Sequence, residues 1–440
     1  MNWFLTESRI LRFASFAIFY IAQGLPIGLL SIALPAWLSE QGAAAGDVAY
    51  FLSISTLPWA FKLLAGPIMD RFSFLPMGRR RPWIVFAQIG LLVSVVLLAL
   101  VPDPLNNIVL LTWVAFGLNC FVAVQDVAVD GMAIDVLPAG ERGRANSFMA
   151  FGQVAGYAAS GALSALALVE FGLFGAGMTL AVLLLLIFLW GVAVRERRGE
   201  RLLPWSHGDT LSRSVELQAD DFRSIVVNLR LVFFLKASLL LIVITACWRI
   251  SSGFWLVGAP VIATQDLGFA STQYSYWSST FSIIAAVLGL LLGPIIDRSG
   301  VRKIFIIAMV TQSLLFLVAA LGVDYWHNPY FPLTVAALEA VTGQAIFISF
   351  IAIHMSICWQ RVSATQFAIY MAWANFARSI GAGIYGEIEG HLAQGQEFFI
   401  MAAIILFGAF LITRLDVARH DEVLSKLDET ENSGGRPAPV

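Results

Sequence analysis

Apolar stretches of membrane-spanning length recur along nearly the whole chain. A helix crosses the hydrocarbon core of a bilayer in roughly 20 residues. Measured against that length, apolar runs separated by polar breaks predict twelve spans. They lie near 12–38, 47–70, 82–101, 106–136, 143–168 and 172–194, then near 231–264, 271–297, 302–322, 329–359, 363–387 and 397–415. Hydrophobic residues make up 59 % of the chain and charged residues 13 %, against roughly 25 % charged in soluble domains. Such a chain cannot hide its apolar surface in one water-facing core, so lipid is its solvent. The expected fold is all-α, with twelve transmembrane helices in two six-helix, pseudo-symmetric bundles. Residues 1–194 form the first bundle, 195–230 a linker, 231–416 the second bundle and 417–440 a polar, disordered tail. The first run is too long for a signal-peptide core and reads as a retained span. Cys120, Cys247 and Cys358 sit inside apolar runs and show neither disulfide nor metal spacing.

Charge placement checks the count. The breaks after every odd-numbered span lack Lys and Arg and hold Glu40, Asp47, Asp103, Asp266, Asp324 and Glu397. The alternate breaks hold Arg71, Arg79, Arg80, Arg81, Arg142, Arg144, Arg298, Arg302, Lys303 and Arg361. By the positive-inside rule both termini are cytoplasmic, as is the linker with Arg195, Glu196, Arg197, Arg198, Asp220 and Asp221.

One string occurs twice. Gly66-Pro-Ile-Met-Asp70-Arg71 returns as Gly293-Pro-Ile-Ile-Asp297-Arg298, each at the end of the second span of its half. Basic residues follow both copies, Arg79, Arg80 and Arg81 in one and Arg302 and Lys303 in the other. The halves are therefore related by a parallel repeat. The repeated Gly-x-x-x-Asp-Arg resembles the signature loop of the major facilitator superfamily. An Asp at a helix end beside arginines can latch neighbouring helices and release them; the alternative is a topology anchor with tight glycine packing. Gly152, Gly156 and Ser160, and Ala382, Gly386 and Gly390, lie four apart and predict close helix contacts.

Ionisable side chains inside the spans are few, and each costs at least ~2.5–3.5 kcal/mol by insertion scales. Asn119, Asp126 and Asp130 are spaced to share one face of span 4. Asp126 is the deeper acid, suited to substrate or proton work or to a salt bridge; Asp135 lies nearer the Arg71–Arg81 loop. Lys62 lies about 12 Å in from Asp70 at 1.5 Å per residue. Arg249 in span 7 and Arg378 in span 11 must face a cavity or a carboxylate. Glu339 in span 10 is the acid of the second half, either a proton carrier or the fixed partner of Arg249 or Arg378. His354 reads as a packed histidine. Gln23, Gln125, Gln153, Gln344 and Asn375 either line a polar cavity or join helices by hydrogen bonds.

Longer strings narrow the resemblance. Phe61-Lys62 leads through Gly66-Pro67 and Asp70-Arg71 to Gly78 and Arg81-Pro82-Trp83. Gln125-Asp126-Val-Ala-Val-Asp130 precedes Asp135-Val-Leu-Pro138-Ala-Gly-Glu141-Arg142-Gly143, and span 10 leads to Ser363-Ala-Thr365-Gln366-Phe367-Ala368. Together these resemble the muropeptide permease (AmpG) family and its relatives, the acetyl-CoA transporters. The resemblance implies a twelve-helix facilitator in the cytoplasmic membrane that imports cell-wall sugar–peptide fragments on the proton gradient. It also implies polar roles for Lys62, Asp126, Asp130 and Glu339. Where muropeptide permeases tend to read Gly-Tyr-Arg in span 5, this chain has Gly152-Gln153-Val154-Ala-Gly156-Tyr157, closer to the acetyl-CoA branch. Span 7 departs too, with Cys247-Trp248-Arg249.

The expectation is secondary transport by alternating access, with the site between the bundles near mid-membrane. The cations Lys62, Arg249 and Arg378 point to an anionic or zwitterionic small solute; protons and lipid are the other partners, with no nucleic acid, and a monomer suffices. An acetyl-CoA-like or other small anionic cargo is the alternative, and a non-transporting sensor or assembly factor on the same scaffold is the alternative of another class. No P-loop, nucleophile–base pair or metal spacing is present in the sequence, so no enzyme activity, cofactor or metal is expected.

Overall fold

The computed structural model describes residues 3–432 apart from 42, 44, 219, 220, 264–266, 269, 270, 389, 390 and 394. Asp220, Asp266, Gly390 and residues 433–440 of the tail lie outside the described residues. Among the described residues regular structure is helical, apart from one isolated bridge between Phe4 and Arg195.

The first crossing is not one regular helix. Helix α1 (Arg9–Gly28), capped by the Ser8 side chain, contains Pro26 and passes through a π-turn at Leu29–Ala33 into α2 (Leu34–Glu40). Pro26 has no amide to give to the ladder, and the helix widens after it. The second crossing is broken further, into α3 (Ala45–Ser55), α4 (Pro58–Phe61), a 3₁₀ turn at Lys62–Leu64 and α5 (Ala65–Arg71). Helices α6 (Arg81–Ala99) and α7 (Ile108–Val136) are regular. The fifth and sixth spans form one 52-residue element, α8 (Arg142–Ala193), which turns at Gly172 with φ 64°. Only glycine adopts that backbone angle at little cost.

The linker carries α9 (Ser212–Leu217) and α10 (Phe222–Phe233). The second set is α11 (Lys236–Val261), α12 (Ser271–Ser299), α13 (Val301–Leu321), α14 (Tyr330–Ile357), α15 (Ser363–Ile388) and α16 (Gln396–Ile412). A last helix, α17 (Val417–Asn432), occupies most of the stretch expected to be a disordered tail. Burial explains the difference: Leu424, Leu427 and His420 are buried, and the His420 imidazole lies 3.0 Å from the Ile357 carbonyl.

Among the described residues, eight helices are long and apolar enough to cross a membrane, with α8 counted once. The other expected crossings are the broken α3–α5, α15 with its internal Arg378, and the 17-residue α16. The chain is a multi-pass membrane protein.

The fold divides into two compact units. One runs to Pro138 and adds Phe148–Val226 and Gln360–Ala368; the other consists of Ala139–Ser147, Val227–Trp359 and the chain from Ile369 onward. Each has a seam where two helix backbones nearly touch. In the first, a Cβ added at Gly152 would lie 2.4 Å from the Ala17 carbonyl oxygen, and one at Gly156 2.5 Å from that of Ile21. In the second, α11 and α15 meet in the same way, with Gly381 against the Ile250 carbonyl. Small residues permit such approach where lipid supplies no hydrophobic drive between helices.

Candidate functional site

The polar residues of the first unit gather on one face of α7. Asp126 accepts a hydrogen bond from Gln23 of α1 and an ion pair from Lys62 Nζ at 2.8 Å. Lys62 reaches it from the 3₁₀ turn in the second crossing, with Nζ 5.6 Å from the centre of the Trp59 ring. One turn on, Asp130 accepts a 2.5 Å hydrogen bond from the Tyr20 hydroxyl. At the other end of the row Asn119 donates to the Ser55 carbonyl at 2.7 Å and accepts from Trp59 Nε1 at 3.2 Å. Lys62, Asp126 and Asp130 are 8 %, 5 % and 5 % exposed, so three charged side chains share a nearly dry place. Gln125 lies on another face and ties α7 to the Phe19 carbonyl at 2.9 Å. Gln153 is half-buried on α8.

The second unit holds a cavity of about 240 Å³ lined by Arg249, Arg378, Glu339, Trp248, Trp255 and Phe347, among others. Arg249 donates to the Ala374 carbonyl at 3.1 Å and to Asn375 Oδ1 at 3.2 Å, and its guanidinium lies 5.2 Å from the Trp248 ring centre. No carboxylate lies within salt-bridge distance of Arg249 or Arg378 among the described residues, and Arg378 Nε has no hydrogen-bond partner there. Glu339 accepts from Gln312 Nε2 at 3.3 Å. Gln344 Nε2 is buried with no hydrogen-bond partner among the described residues. His354 is packed, fully buried between Thr245 Oγ1 at 3.0 Å and the Phe350 carbonyl at 2.8 Å.

The two copies of the repeated string are built differently. Asp70 is fully buried and accepts from Arg79 at 3.1 Å, Arg80 at 2.5 Å, and the Thr365 amide and hydroxyl at 2.9 and 2.7 Å. Asp135 at the end of α7 completes the network, pairing with Arg79 at 3.2 Å and Arg80 at 3.1 Å and accepting from Ser363 at 3.1 Å. Arg79 also donates to the Gln360 and Arg361 carbonyls. Burial and the neighbouring Arg80 push the Arg79 guanidinium down; burial acts on Arg80 too, but Asp70 and Asp135 outweigh it and push Arg80 up. A Cβ at Gly66 would lie 2.6 Å from Thr365 Cα, so this glycine is what lets the 360–368 segment seat on α5.

Arg81 turns the other way and donates to the carbonyls of Gly191, Val192, Arg201 and Leu202. It places a cation at the C-terminal end of α8, where the helix dipole favours one. Glu196 does the converse, accepting the amides of Arg79, Arg80 and Arg81 at the start of α6. Arg71 is half-buried beside Phe72. The second copy is simpler. Asp297 accepts from Arg144 Nε at 2.6 Å and the Gly143 amide at 2.9 Å, Arg302 caps the Ile412 and Thr413 carbonyls, and Arg298 is exposed. Gly293 repeats the role of Gly66, with a would-be Cβ 2.7 Å from Arg144 Cα.

Sequence reasoning missed Tyr20, Trp248, Trp255, Gln312 and Glu196. By composition Glu196 reads as linker charge, yet it is fully buried.

The residue pattern of the Major Facilitator Superfamily matches residues 16–258 and 241–437. Anhydromuropeptide permease of Escherichia coli (strain K12) is 26 % identical over 404 residues, covering 90 % of this chain and 78 % of the relative. Putative transporter AmpG 1 of Rickettsia bellii is 22 % identical over 403 residues, covering 90 % and 95 %. Among solved structures, the proton:xylose symporter XylE superposes with TM-score 0.66 at 13 % identity, covering 93 % of this chain and 97 % of that one. The human organic anion transporter MFSD10 gives 0.65 at 14 %, covering 92 % and 100 %. With its helical spans, repeated Asp-Arg string and this match over most of its length, the chain belongs to the Major Facilitator Superfamily.

Proposed function

We propose that this secondary transporter carries an anionic sugar–peptide of the muropeptide kind, coupled to protons, with both termini on the cytoplasmic side. The observation that carries the reading is the cavity of the second unit, where Arg249 and Arg378 face one carboxylate, Glu339, between Trp248 and Trp255. Two guanidiniums against one acid leave a positive balance that a substrate carboxylate neutralises. Guanidinium forks bind carboxylates bidentately, and indole faces suit the apolar side of a sugar ring. The Escherichia coli relative named anhydromuropeptide permease supports the same cargo. The network around Asp70 acts as a latch on the 360–368 segment, whose chain continues into α14 and α15; its release accompanies the change of access.

The deciding experiment is uptake into proteoliposomes containing the purified protein, with an imposed inward pH gradient. Radiolabelled anhydromuropeptide should accumulate, and an uncoupler should abolish the accumulation. Uptake of acetyl-CoA with none of the muropeptide would move the protein to the acyl-CoA branch. Tight binding of either solute without flux would replace the transporter reading with a sensor.

A further inference from the structure

We infer that Asp130, held by the Tyr20 hydroxyl, is the residue that takes up the coupling proton; this rests on the proton-coupled reading above. The argument begins with charge. The buried cluster of the first unit contains two carboxylates, Asp126 and Asp130, and one ammonium, Lys62. It is one positive charge short of neutrality, and an uncompensated charge is costly at membrane depth. A proton is the smallest group that supplies the missing charge.

Geometry decides which acid receives it. Asp126 already has a cation, with Lys62 Nζ at 2.8 Å on one oxygen and the Gln23 amide on the other. Asp130 has no cation within salt-bridge distance among the described residues; its hydrogen-bond donor is the neutral phenol of Tyr20. The charged and titratable groups that face it are Asp126, Lys62 and Tyr20. In the ionised state the Tyr20 O–H donates to Asp130 Oδ1. Protonation converts the carboxylate into a carboxyl whose own O–H is a donor, so the Tyr20 hydroxyl must turn to accept or point elsewhere. Asp130 is on α7 and Tyr20 on α1, so the proton changes the bond between two helices of the unit. The acid of the second unit has a different setting. Glu339 shares with Arg249 and Arg378 a cavity that already carries more positive than negative charge, and a proton there would add to the excess.

The test follows the carboxyl stretch of the full-length protein by infrared difference spectroscopy as pH is lowered. Wild type should gain a protonated-carboxyl band. Asp130→Asn should lose it, Glu339→Gln should keep it, and Tyr20→Phe should move its midpoint. A band that survives in Asp130→Asn and vanishes in Glu339→Gln overturns the assignment. Should Asp130→Asn fail to fold, Tyr20→Phe decides alone: an unmoved midpoint overturns it. In proteoliposomes, pH-driven accumulation of anhydromuropeptide by Asp130→Asn should fall at least ~10-fold, while exchange between equally loaded sides stays within about threefold, because exchange needs no deprotonation. Wild-type accumulation by this variant also overturns the assignment. If wild type moves no solute at all, the transport reading fails by itself, and the infrared titration still decides whether Asp130 binds the proton.

Discussion

The two units descend from one repeated pattern, yet their buried charge has opposite sign. The first holds Asp126, Asp130 and Lys62; the second holds Glu339, Arg249 and Arg378. Equivalent helices can thus supply an acid-rich cluster in one half and an arginine-rich cavity in the other. What the repeat preserves is the backbone: the small-residue seams, and the glycine before each Asp-Arg pair that lets a loop segment approach. What it leaves free to diverge is the charge. A cluster short of positive charge is suited to a proton, and one with positive charge in excess is suited to an anion.

The sharpest break in the comparison lies at the two copies of the repeated string. Asp70 and Asp135 between them neutralise Arg79 and Arg80, all four side chains being at most 1 % exposed. Removing one acid strands a buried guanidinium, which costs roughly 3–5 kcal/mol in comparable broken pairs. Asp70→Asn should therefore lower the thermal unfolding midpoint strongly and slow transport far more than it weakens substrate binding. Asp297→Asn should cost about 1 kcal/mol or less, since Arg144, its partner, is 24 % exposed and can reach water. Equal losses of unfolding midpoint in the two variants would show that the copies are energetically alike despite their geometry.

The next test separates the charge clusters. A hydrogen bond to a charged group is worth about 1.5–3 kcal/mol, so Arg249→Gln should weaken anion binding roughly 10- to 100-fold. Lys62→Gln should leave that affinity within about threefold, because Lys62 answers Asp126 and not the cargo. Isothermal titration with anhydromuropeptide measures both. A larger loss from Lys62→Gln than from Arg249→Gln would put the anion on the acid-rich side and collapse the division.

The crossings, the repeat and the basic clusters were legible because each is written in local composition: an apolar run, a glycine five residues before an arginine, arginines in alternate loops. The face of α7 was legible too, since Asn119, Asp126 and Asp130 follow helical spacing. Their partners were not. Tyr20 is one of 9 tyrosines and Trp248 one of 13 tryptophans in a chain where aromatics are ordinary lipid-facing residues, so nothing local marks either as polar-facing. Arg79 and Arg80 read as solvated topology signals because a one-dimensional charge count cannot see Asp70, Asp135 and the Gln360–Arg361 carbonyls closing around them. Glu196 was hidden for the same reason, in a linker whose composition is that of a surface loop.

That linker supplies a contrast that depends on pH. At the start of α6, Glu196 caps three amides, whereas α13, its counterpart after the second copy, begins at Val301 behind the N-cap Gly300, which has no side chain to cap it. The cap brings a second acid with it. Glu200 accepts the Arg197 amide at 3.0 Å, is 1 % exposed, and is pushed up to about 8 by burial and by Glu196 beside it. An unfolded chain releases a glutamate proton near pH ~4.3. Between that value and about 8 the folded protein therefore holds more protons than the unfolded chain, and stability declines as pH rises. The contribution is complete below pH ~4.3 and is lost as pH passes through about 8. Glu200→Gln removes this slope. Its unfolding midpoint in detergent should stay close to wild type near pH 5 and exceed it clearly by pH 9. Glu196→Gln should lower the midpoint at both pH values, because it weakens three hydrogen bonds to the helix start. Parallel pH curves for wild type and Glu200→Gln would mean that Glu200 stays ionised beside Glu196, and that the arginines around it neutralise both acids.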